Sequence, residues 1–330
     1  MPCKNDEILN SPPSTLRKAR PSSRVNEKSK IMKLAIVSHD AGGAEVLSSY
    51  IRRVGICCEY VLDGPALAIF ERKLGPVSMT SWADAINSCD LVLCGSSWNS
   101  DLEWRAIAEA REAGKASATF LDHWGHYRER FIRRGVQCLP DTLWVGDELA
   151  QHLAQSIFPA VPVVLVPNPY FQDIREELSK FEHLAARVVA RGLRVLFVCE
   201  PLSEHGLKEY GDERHWGYTE FEALRFFFAN RAVLGAPLAR LTIRPHPSEA
   251  RDKYDQIARE FGEVACIGGA KPLLQEIAES DVVAGCESMA MVVGLIAGRR
   301  VLSCVPPNGK ACVLPHTEIE SMQTLVARYA

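Results

Sequence analysis

The sequence predicts an α/β protein built from two Rossmann-like domains that face each other across a cleft. Short apolar runs alternate with amphipathic helical patterns from residue 32 onward, and this alternation is typical of parallel α/β layers. The series is interrupted once near the middle, where the prolines of Pro167-Asn-Pro169 are expected to break regular structure. We therefore predict an N-terminal domain at residues 32–168 and a C-terminal domain at residues 169–330.

The first half contains five strand-like runs and two clear helical patterns, and a sixth run, Val161–Val166, leads into the interruption. The strands are predicted at Leu34–Ser38, Glu59–Leu62, Leu91–Gly95, Ala116–Leu121 and Leu143–Val145, and the helices at Ala44–Arg53 and Asp101–Ala113. Gly114 follows the second helix, as glycine commonly does at a helix C-terminus.

A charged helix is predicted at Gln172–Ala190, and a second α/β series follows it. Its strands are predicted at Arg194–Cys199, Arg240–Arg244, Val264–Ile267, Val282–Ala284 and Val301–Val305. Ligands of open α/β sheets bind outside the carboxyl ends of the strands. The functional residues are therefore expected where these runs stop.

Composition narrows the class of protein. The chain has 330 residues, 47% hydrophobic and 24% charged, which suits a globular protein of two domains. A net charge of -3 argues against nucleic acid as a partner. No apolar run reaches the roughly 20 residues of a membrane span, although peripheral membrane contact stays open. The eleven cysteines form no Cys-x-x-Cys pair, so we expect reduced thiols, no structural zinc and a cytoplasmic protein.

Residues 1–31 differ from the rest of the chain. They are rich in Ser, Pro, Lys and Arg and lack the apolar segment of a secretory signal. We predict a disordered extension. A transit peptide is the alternative, and the acidic residues Asp6, Glu7 and Glu27 argue against it.

Two strand ends of the first half carry acid–base residues. The first strand runs into His39-Asp40, followed by Gly42 and Gly43, whose backbone is expected to approach a ligand closely. The fourth strand ends at Asp122-His123, and we predict a catalytic role for both residues. The sequence leaves open whether the loop after the third strand lines the cleft. His123, His126 and Glu129 lack the spacing of a known metal site, so no metal is predicted.

Two strand ends of the second half predict an anion-binding site. One strand ends in Arg244-Pro-His246-Pro247, where the two prolines restrict the backbone around the imidazole. Another ends in Glu287-Ser288, and an apolar helix begins at Met289. Ser288 is therefore expected at the helix N-cap, beside free backbone N–H groups that suit a phosphate. Glu200, at a third strand end, is expected to accept a hydrogen bond from a ribose or base.

The segments with His246-Pro247 and Glu287-Ser288, and Gly298-Arg-Arg-Val301 after them, resemble motifs of the GT-B glycosyltransferase superfamily. They are similar to those of bacterial sialyltransferases, Kdo transferases of capsule synthesis and CDP-glycerol glycerophosphotransferases. Gly42-Gly-Ala-Glu45 resembles the glycine-rich first loop of many GT-B enzymes. The resemblance implies that His246 and Ser288 hold the donor phosphate. The acidic-acidic-Gly motif of the sialyltransferases has no clean copy here, so the catalytic base stays open.

Together with these strand-end residues, the resemblance implies a metal-independent glycosyltransferase of surface-glycan assembly that needs no cofactor. It would move a sugar from a CMP-, CDP- or UDP-linked donor to a glycan or small-molecule acceptor. A nucleotide-sugar hydrolase or epimerase on the same scaffold is the alternative within enzymes. A non-catalytic nucleotide-sugar-binding protein is the alternative outside them.

Overall fold

The computed structural model describes residues 32–97, 100–181, 183 and 192–329, and it contains two six-stranded parallel sheets. The strands of the first sheet are β1 (Leu34–Ser38), β2 (Cys58–Leu62), β3 (Leu91–Cys94), β4 (Ala116–Leu121), β7 (Thr142–Val145) and β8 (Val163–Leu165). They lie in the order β2-β1-β3-β4-β7-β8. A separate antiparallel hairpin of β5 (Ile132–Arg133) and β6 (Val136–Gln137) follows β4 in the chain.

The second sheet repeats this arrangement. Its strands are β9 (Leu193–Val198), β10 (Leu238–Arg244), β11 (Ala265–Ile267), β12 (Val282–Gly285), β13 (Arg300–Ser303) and β14 (Ile319–Ser321). Their order is β11-β10-β9-β12-β13-β14. In each sheet the first strand lies between two later ones, so the chain crosses over in opposite directions on its two sides. Such a switch point opens a crevice at the carboxyl ends of the strands.

Helices follow most strands, as parallel pairing requires. They are α1 (Ala41–Val54), α2 (Ala66–Leu74), α3 (Trp82–Ser88), α4 (Leu102–Glu112), α5 (Glu148–Ile157), α6 (Pro169–Ser179), α7 (Leu202–Tyr210), α8 (Glu220–Ala229), α9 (Asp255–Phe261), α10 (Leu273–Ala278), α11 (Met289–Ile296) and α12 (Met322–Tyr329). None of the helices in the described part of the chain has the length and apolar character to cross a membrane.

The central strands are buried on both faces, which explains why they read as continuous apolar runs. Leu34, Ala35 and Ile36 of β1 are fully buried, and all four residues of β12 are buried as well. Helices that cover both faces remove the whole side-chain surface of these strands from water, and this burial is the main source of stability.

The predicted α/β class with two Rossmann-like sheets is confirmed, and every predicted strand is present within a few residues of its expected bounds. The boundary between residues 168 and 169 stays a prediction. The prediction that Pro169 breaks regular structure is wrong. Pro169 is the first residue of α6, where its missing N–H costs nothing, and Asn168 caps the helix. The predicted extension at 1–31 lies outside the described residues, as does most of 182–190.

Candidate functional site

His39 and Asp40 lie directly after β1 and form a pair. His39 Nδ1 is 2.7 Å from Asp40 Oδ1, and about a quarter of each side chain is exposed. Asp40 stands at the N-cap position of α1, yet its side chain makes no capping hydrogen bond. The carboxylate is directed to the imidazole instead, which leaves an acid–base pair at the sheet edge.

Glu103 lies beneath this pair and was missed by sequence reasoning. The backbone N–H of His39 donates to Glu103 Oε1 at 2.7 Å, the residue is 3% exposed, and Oε2 has no partner. Burial raises the pKa of Glu103 to about 7, and the hydrogen bond from His39 opposes the rise. A charged residue in the first turn of a helix ordinarily faces water, so nothing in the residue pattern indicates that Glu103 is buried.

Gly42 and Gly43 lie in the first turn of α1, which begins at Ala41 rather than near Ala44. A Cβ at Gly42 would overlap Asp122 Oδ2, and a Cβ at Gly43 would lie 3.1 Å from the Cα of Gly95. The two glycines therefore let α1 pack against the ends of β3 and β4. Their predicted contact with a ligand stays a prediction.

Asp122 is held in one orientation by two neighbours. Its Oδ1 accepts hydrogen bonds from Ser96 Oγ at 2.8 Å and from Arg130 Nη1 at 3.0 Å. Arg130 also donates to the backbone oxygens of Ser96 and Gly125, and its side chain is 9% exposed. The result is an oriented carboxylate that leans over the start of α1. Neither Ser96 nor Arg130 was predicted, because only the fold brings them to Asp122.

His123 is a neutral imidazole. Its Nδ1 accepts the N–H of Gly125 at 3.0 Å, which leaves the proton on Nε2. Burial lowers the pKa of His123 to about 4, and the nearby cation Arg130 adds to the effect while Asp122 opposes it. At neutral pH this side chain is uncharged, and its Nε2–H is a hydrogen-bond donor.

The backbone N–H groups expected to be free beside Ser288 are occupied. Glu200 Oε1 accepts hydrogen bonds from the N–H groups of Cys286 at 3.1 Å, Glu287 at 2.9 Å and Ser288 at 3.1 Å. Burial raises the pKa of Glu200 to about 7, and the charge on Glu287 adds to the rise, while the three N–H donors limit it. The structure thus corrects the picture of an open nest, because an acidic side chain of the protein fills it.

Ser288 occupies the N-cap of α11 as predicted, and its Oγ accepts the N–H of Ala290 at 3.2 Å. Met289 is the first residue of the helix and packs against the core.

Burial raises the pKa of Glu287, whereas the N–H of Val313 and the charge of His126 oppose the rise.

His246 is exposed at the end of β10. Its Nδ1 lies 2.7 Å from Ser248 Oγ, and burial of part of the ring lowers its pKa. Its backbone N–H donates to Glu249 Oε2 at 2.7 Å. Glu249, also missed by sequence reasoning, accepts from Lys253 and Tyr254 as well, so it fixes the loop that follows Pro247.

Arg244 is already paired. Its Nη1 donates to Glu276 Oε2 at 2.6 Å and to the backbone oxygen of Lys271 at 2.9 Å. Glu276 is buried, which makes this pair a brace between β10 and α10. The role predicted for Arg244 in holding phosphate stays a prediction, and it would require the guanidinium to leave Glu276.

The fold brings the predicted residues together in two groups. His39, Asp40, Gly42 and Asp122 meet at the edge of the first sheet. Glu200, Glu287 and Ser288 meet at the edge of the second. His246 stands apart from Ser288, since β9 lies between β10 and β12 and neighbouring strands are roughly 4.8 Å apart. Glu200 therefore lies at the strand end between these two predicted phosphate ligands.

The two edges adjoin through the loop after β4 and the loop before β14. The rings of Trp124 and His316 are 4.5 Å apart in an edge-to-face arrangement. A Cβ at Gly125 would lie 3.9 Å from Val313, and the charge of His126 acts on Glu287. Across the residues that the structure describes, no group of three or more His, Cys, Asp or Glu is placed to share a metal ion.

Comparisons with known proteins give structural matches alone. No protein-family model and no curated protein matches the chain. The UDP-GlcNAc 2-epimerase from Neisseria meningitidis, solved with UDP-GlcNAc bound, has a TM-score of 0.57 and 10% identity over 90% of each chain. The UDP-GlcNAc 2-epimerase from Methanocaldococcus jannaschii has a TM-score of 0.54 and 11% identity over 82% of this chain and 83% of that one.

A putative UDP-N-acetylglucosamine 2-epimerase from Listeria monocytogenes gives a TM-score of 0.54 at 12% identity, over 91% of this chain and 87% of that one. The TM-scores of 0.54 to 0.57 show a shared fold, and identities of 10–12% extend the likeness no further. The two parallel six-stranded sheets agree with that fold. The chain therefore has the GT-B fold, which is the fold of the superfamily whose motifs its sequence resembles.

Proposed function

We propose that this protein is an enzyme that acts on a nucleotide sugar, with transfer of the sugar to an acceptor hydroxyl as its reaction. One observation carries the proposal: three consecutive N–H groups at the start of α11 bind a carboxylate, so this strand end is built to hold an anion. The anionic part of a nucleotide sugar is its phosphate. The resemblance of His246-Pro247 and Glu287-Ser288 to donor-binding motifs supports the same assignment.

The edge of the first sheet would supply the acid–base chemistry. Asp122, oriented by Ser96 and Arg130, and the His39–Asp40 pair are the candidate bases for an acceptor hydroxyl. The neutral His123 next to Asp122 offers an N–H donor at Nε2. On the other side, His246 and the positive end of the α11 dipole would stabilise the charge that develops on the departing phosphate.

Epimerisation or hydrolysis of the nucleotide sugar is the second candidate. Two solved structures with TM-scores above 0.5 are UDP-GlcNAc 2-epimerases, one of them with UDP-GlcNAc bound, and a third is a putative UDP-N-acetylglucosamine 2-epimerase. The same two sheet edges would serve these reactions. Epimerisation and hydrolysis differ from transfer in what happens to the sugar once the bond between the sugar and the donor phosphate is weakened. These structures favour a UDP-linked sugar as the first donor to test.

The test is incubation of the protein with UDP-GlcNAc and with CMP- and CDP-linked donors, with and without a mixture of acceptor glycans. Release of nucleotide that depends on an acceptor supports transfer. An altered sugar that stays on the nucleotide supports epimerisation, and acceptor-independent release of nucleotide and free sugar supports hydrolysis. D122N and D40N are assayed beside E204Q, which removes the same single negative charge from an exposed side chain. Nucleotide binding without any turnover would favour a binding protein.

A further inference from the structure

The nest at the start of α11 holds a carboxylate that belongs to the protein itself. Glu200 follows β9 by two residues, and Cys286, Glu287 and Ser288 follow β12. These strands are parallel neighbours, with Val195 beside Val282 and Phe197 beside Ala284. The hydrogen bonds of Glu200 thus join the ends of β9 and β12, between which the second sheet has its switch point. Ligands of this fold class bind at such a switch point.

Five titratable groups in the described part of the chain interact electrostatically with Glu200, and none of these five is a cation. These groups come from β9, from the segment before α8, from the end of β12 and from the segment before β14, namely Cys199, Tyr218, Cys286, Glu287 and Cys312. The negative charge is therefore balanced by the three N–H donors and by the helix dipole. These are the groups that would bind a phosphate.

A phosphate and the Glu200 carboxylate cannot share these donors, because two anions a few ångströms apart repel each other strongly in a partly buried site. We propose that Glu200 is a tethered anion that occupies the phosphate subsite of the free enzyme. A donor phosphate binds there only after the side chain has been displaced from the three N–H groups, to a position that is still within the buried site, and has taken up a proton from the solvent. The identity of the ligand as a nucleotide rests on the function proposed above.

This exchange links binding to pH with a definite sign. In the free protein the pKa of Glu200 is raised to about 7. Once phosphate has replaced it, the carboxyl has lost its three donors and has an anion beside it, so its pKa rises further. Binding then takes up a proton above pH 7. Affinity falls by up to about tenfold for each pH unit above 7, and it changes little below.

The experiment measures the Kd of UDP and of inorganic pyrophosphate for the full-length wild type, E200Q and E204Q at about pH 6, 7 and 8. Glutamine keeps an acceptor oxygen for the N–H groups but carries no charge, so it imitates the protonated residue. The ratio of the wild-type Kd to the E200Q Kd at each pH cancels the titration of the ligand itself. Glu204 is an exposed acidic residue on the neighbouring helix and serves as the control.

We expect a ratio near one at about pH 6 that rises to roughly tenfold at about pH 8, with E204Q matching the wild type. As a check that does not depend on the folding of a variant, titration calorimetry of the wild type in two buffers at about pH 8 should show uptake of close to one proton. Pyrophosphate that follows this pattern while UDP binds neither protein would support the tethered anion and overturn the nucleotide function.

Three results would overturn the proposal. A ratio of one at every pH, with UDP bound by both proteins, leaves the nucleotide function standing and removes the role of Glu200. Weaker binding by E200Q at every pH makes Glu200 a direct ligand contact instead. Failure of both ligands to bind any variant, with no proton uptake, overturns the tethered anion and the nucleotide function together.

Discussion

The Asp122 carboxylate lies over Gly42 in the first turn of α1, so close that any side chain at Gly42 would overlap its Oδ2. This contact joins the ends of β1 and β4 at the edge of the first sheet. It also explains why glycine occurs at position 42 of a helix, where glycine is intrinsically unfavourable by about 0.5–1 kcal/mol relative to alanine.

The substitution Gly42→Ala tests this contact. Helix propensity alone predicts a stabilisation of up to about 1 kcal/mol. We expect instead no gain in stability and a loss of at least about tenfold in kcat/KM, because the new methyl group displaces the Asp122 carboxylate. Ala41→Ser, one residue earlier on an exposed position, is the control. Stabilised G42A protein with full activity would show that Asp122 tolerates the shift.

Arg130 is expected to be a major source of local stability. The substitution Arg130→Gln leaves the largely buried Asp122 without its ionic partner, at a cost of about 3 kcal/mol in the free energy of unfolding. Urea denaturation measures this cost. Arg105→Gln breaks an exposed pair with Glu109 at 4.0 Å and should cost less than about 0.5 kcal/mol. Equal effects of the two substitutions would contradict this stabilising role of Arg130.

Glu103 should make stability fall as pH rises. Its pKa is raised to about 7 in the folded protein and is about 4.3 in an unfolded chain, so the folded state holds the extra proton between these values. The free energy of unfolding then declines by up to about 1.4 kcal/mol per pH unit across that interval. The variant E103Q should lose this dependence. Free energies of unfolding that decline equally for both proteins at about pH 5, 6 and 7 would refute the raised pKa of Glu103.

His123 should make the stability of the protein fall as pH decreases, which is the opposite of the dependence expected from Glu103. Its pKa is lowered to about 4, so the folded protein resists its protonation, and stability is lost as pH falls from about 6.5 toward 4. Asparagine offers an oxygen that can accept the Gly125 N–H without titrating. We therefore expect H123N to retain more of its neutral-pH stability at about pH 5 than the wild type does. A steeper acid loss in H123N would disprove a buried neutral imidazole.

The strands of both sheets could be predicted from the sequence, because most of them are buried on both faces and therefore form continuous apolar runs. Sequence reasoning missed β14 at Ile319–Ser321 and the hairpin at Ile132–Gln137, whose short segments carry too few residues for a periodic pattern. It also misread Pro169, because a proline that starts a helix and one that breaks a strand look alike without their neighbours.

The candidate site was predictable in its location but not in its contacts. Strand ends identified Asp122, Glu200 and Ser288, since a sheet gathers its carboxyl ends at one edge. The partners Glu103 and Arg130 come from helical segments that only tertiary packing brings to that edge. Glu200 shows this limit most clearly. It was predicted to accept a hydrogen bond from a ribose or base, and that contact stays a prediction, whereas the three backbone N–H groups that it accepts could not be foreseen.

The most direct test of the account is a crystal structure of the full-length protein soaked with UDP. We predict the diphosphate at the start of α11, bound by the N–H groups of residues 286–288 and reached by His246, with the Glu200 side chain turned away. A nucleotide bound elsewhere, or one seated beside a Glu200 that still accepts all three hydrogen bonds, would contradict the account.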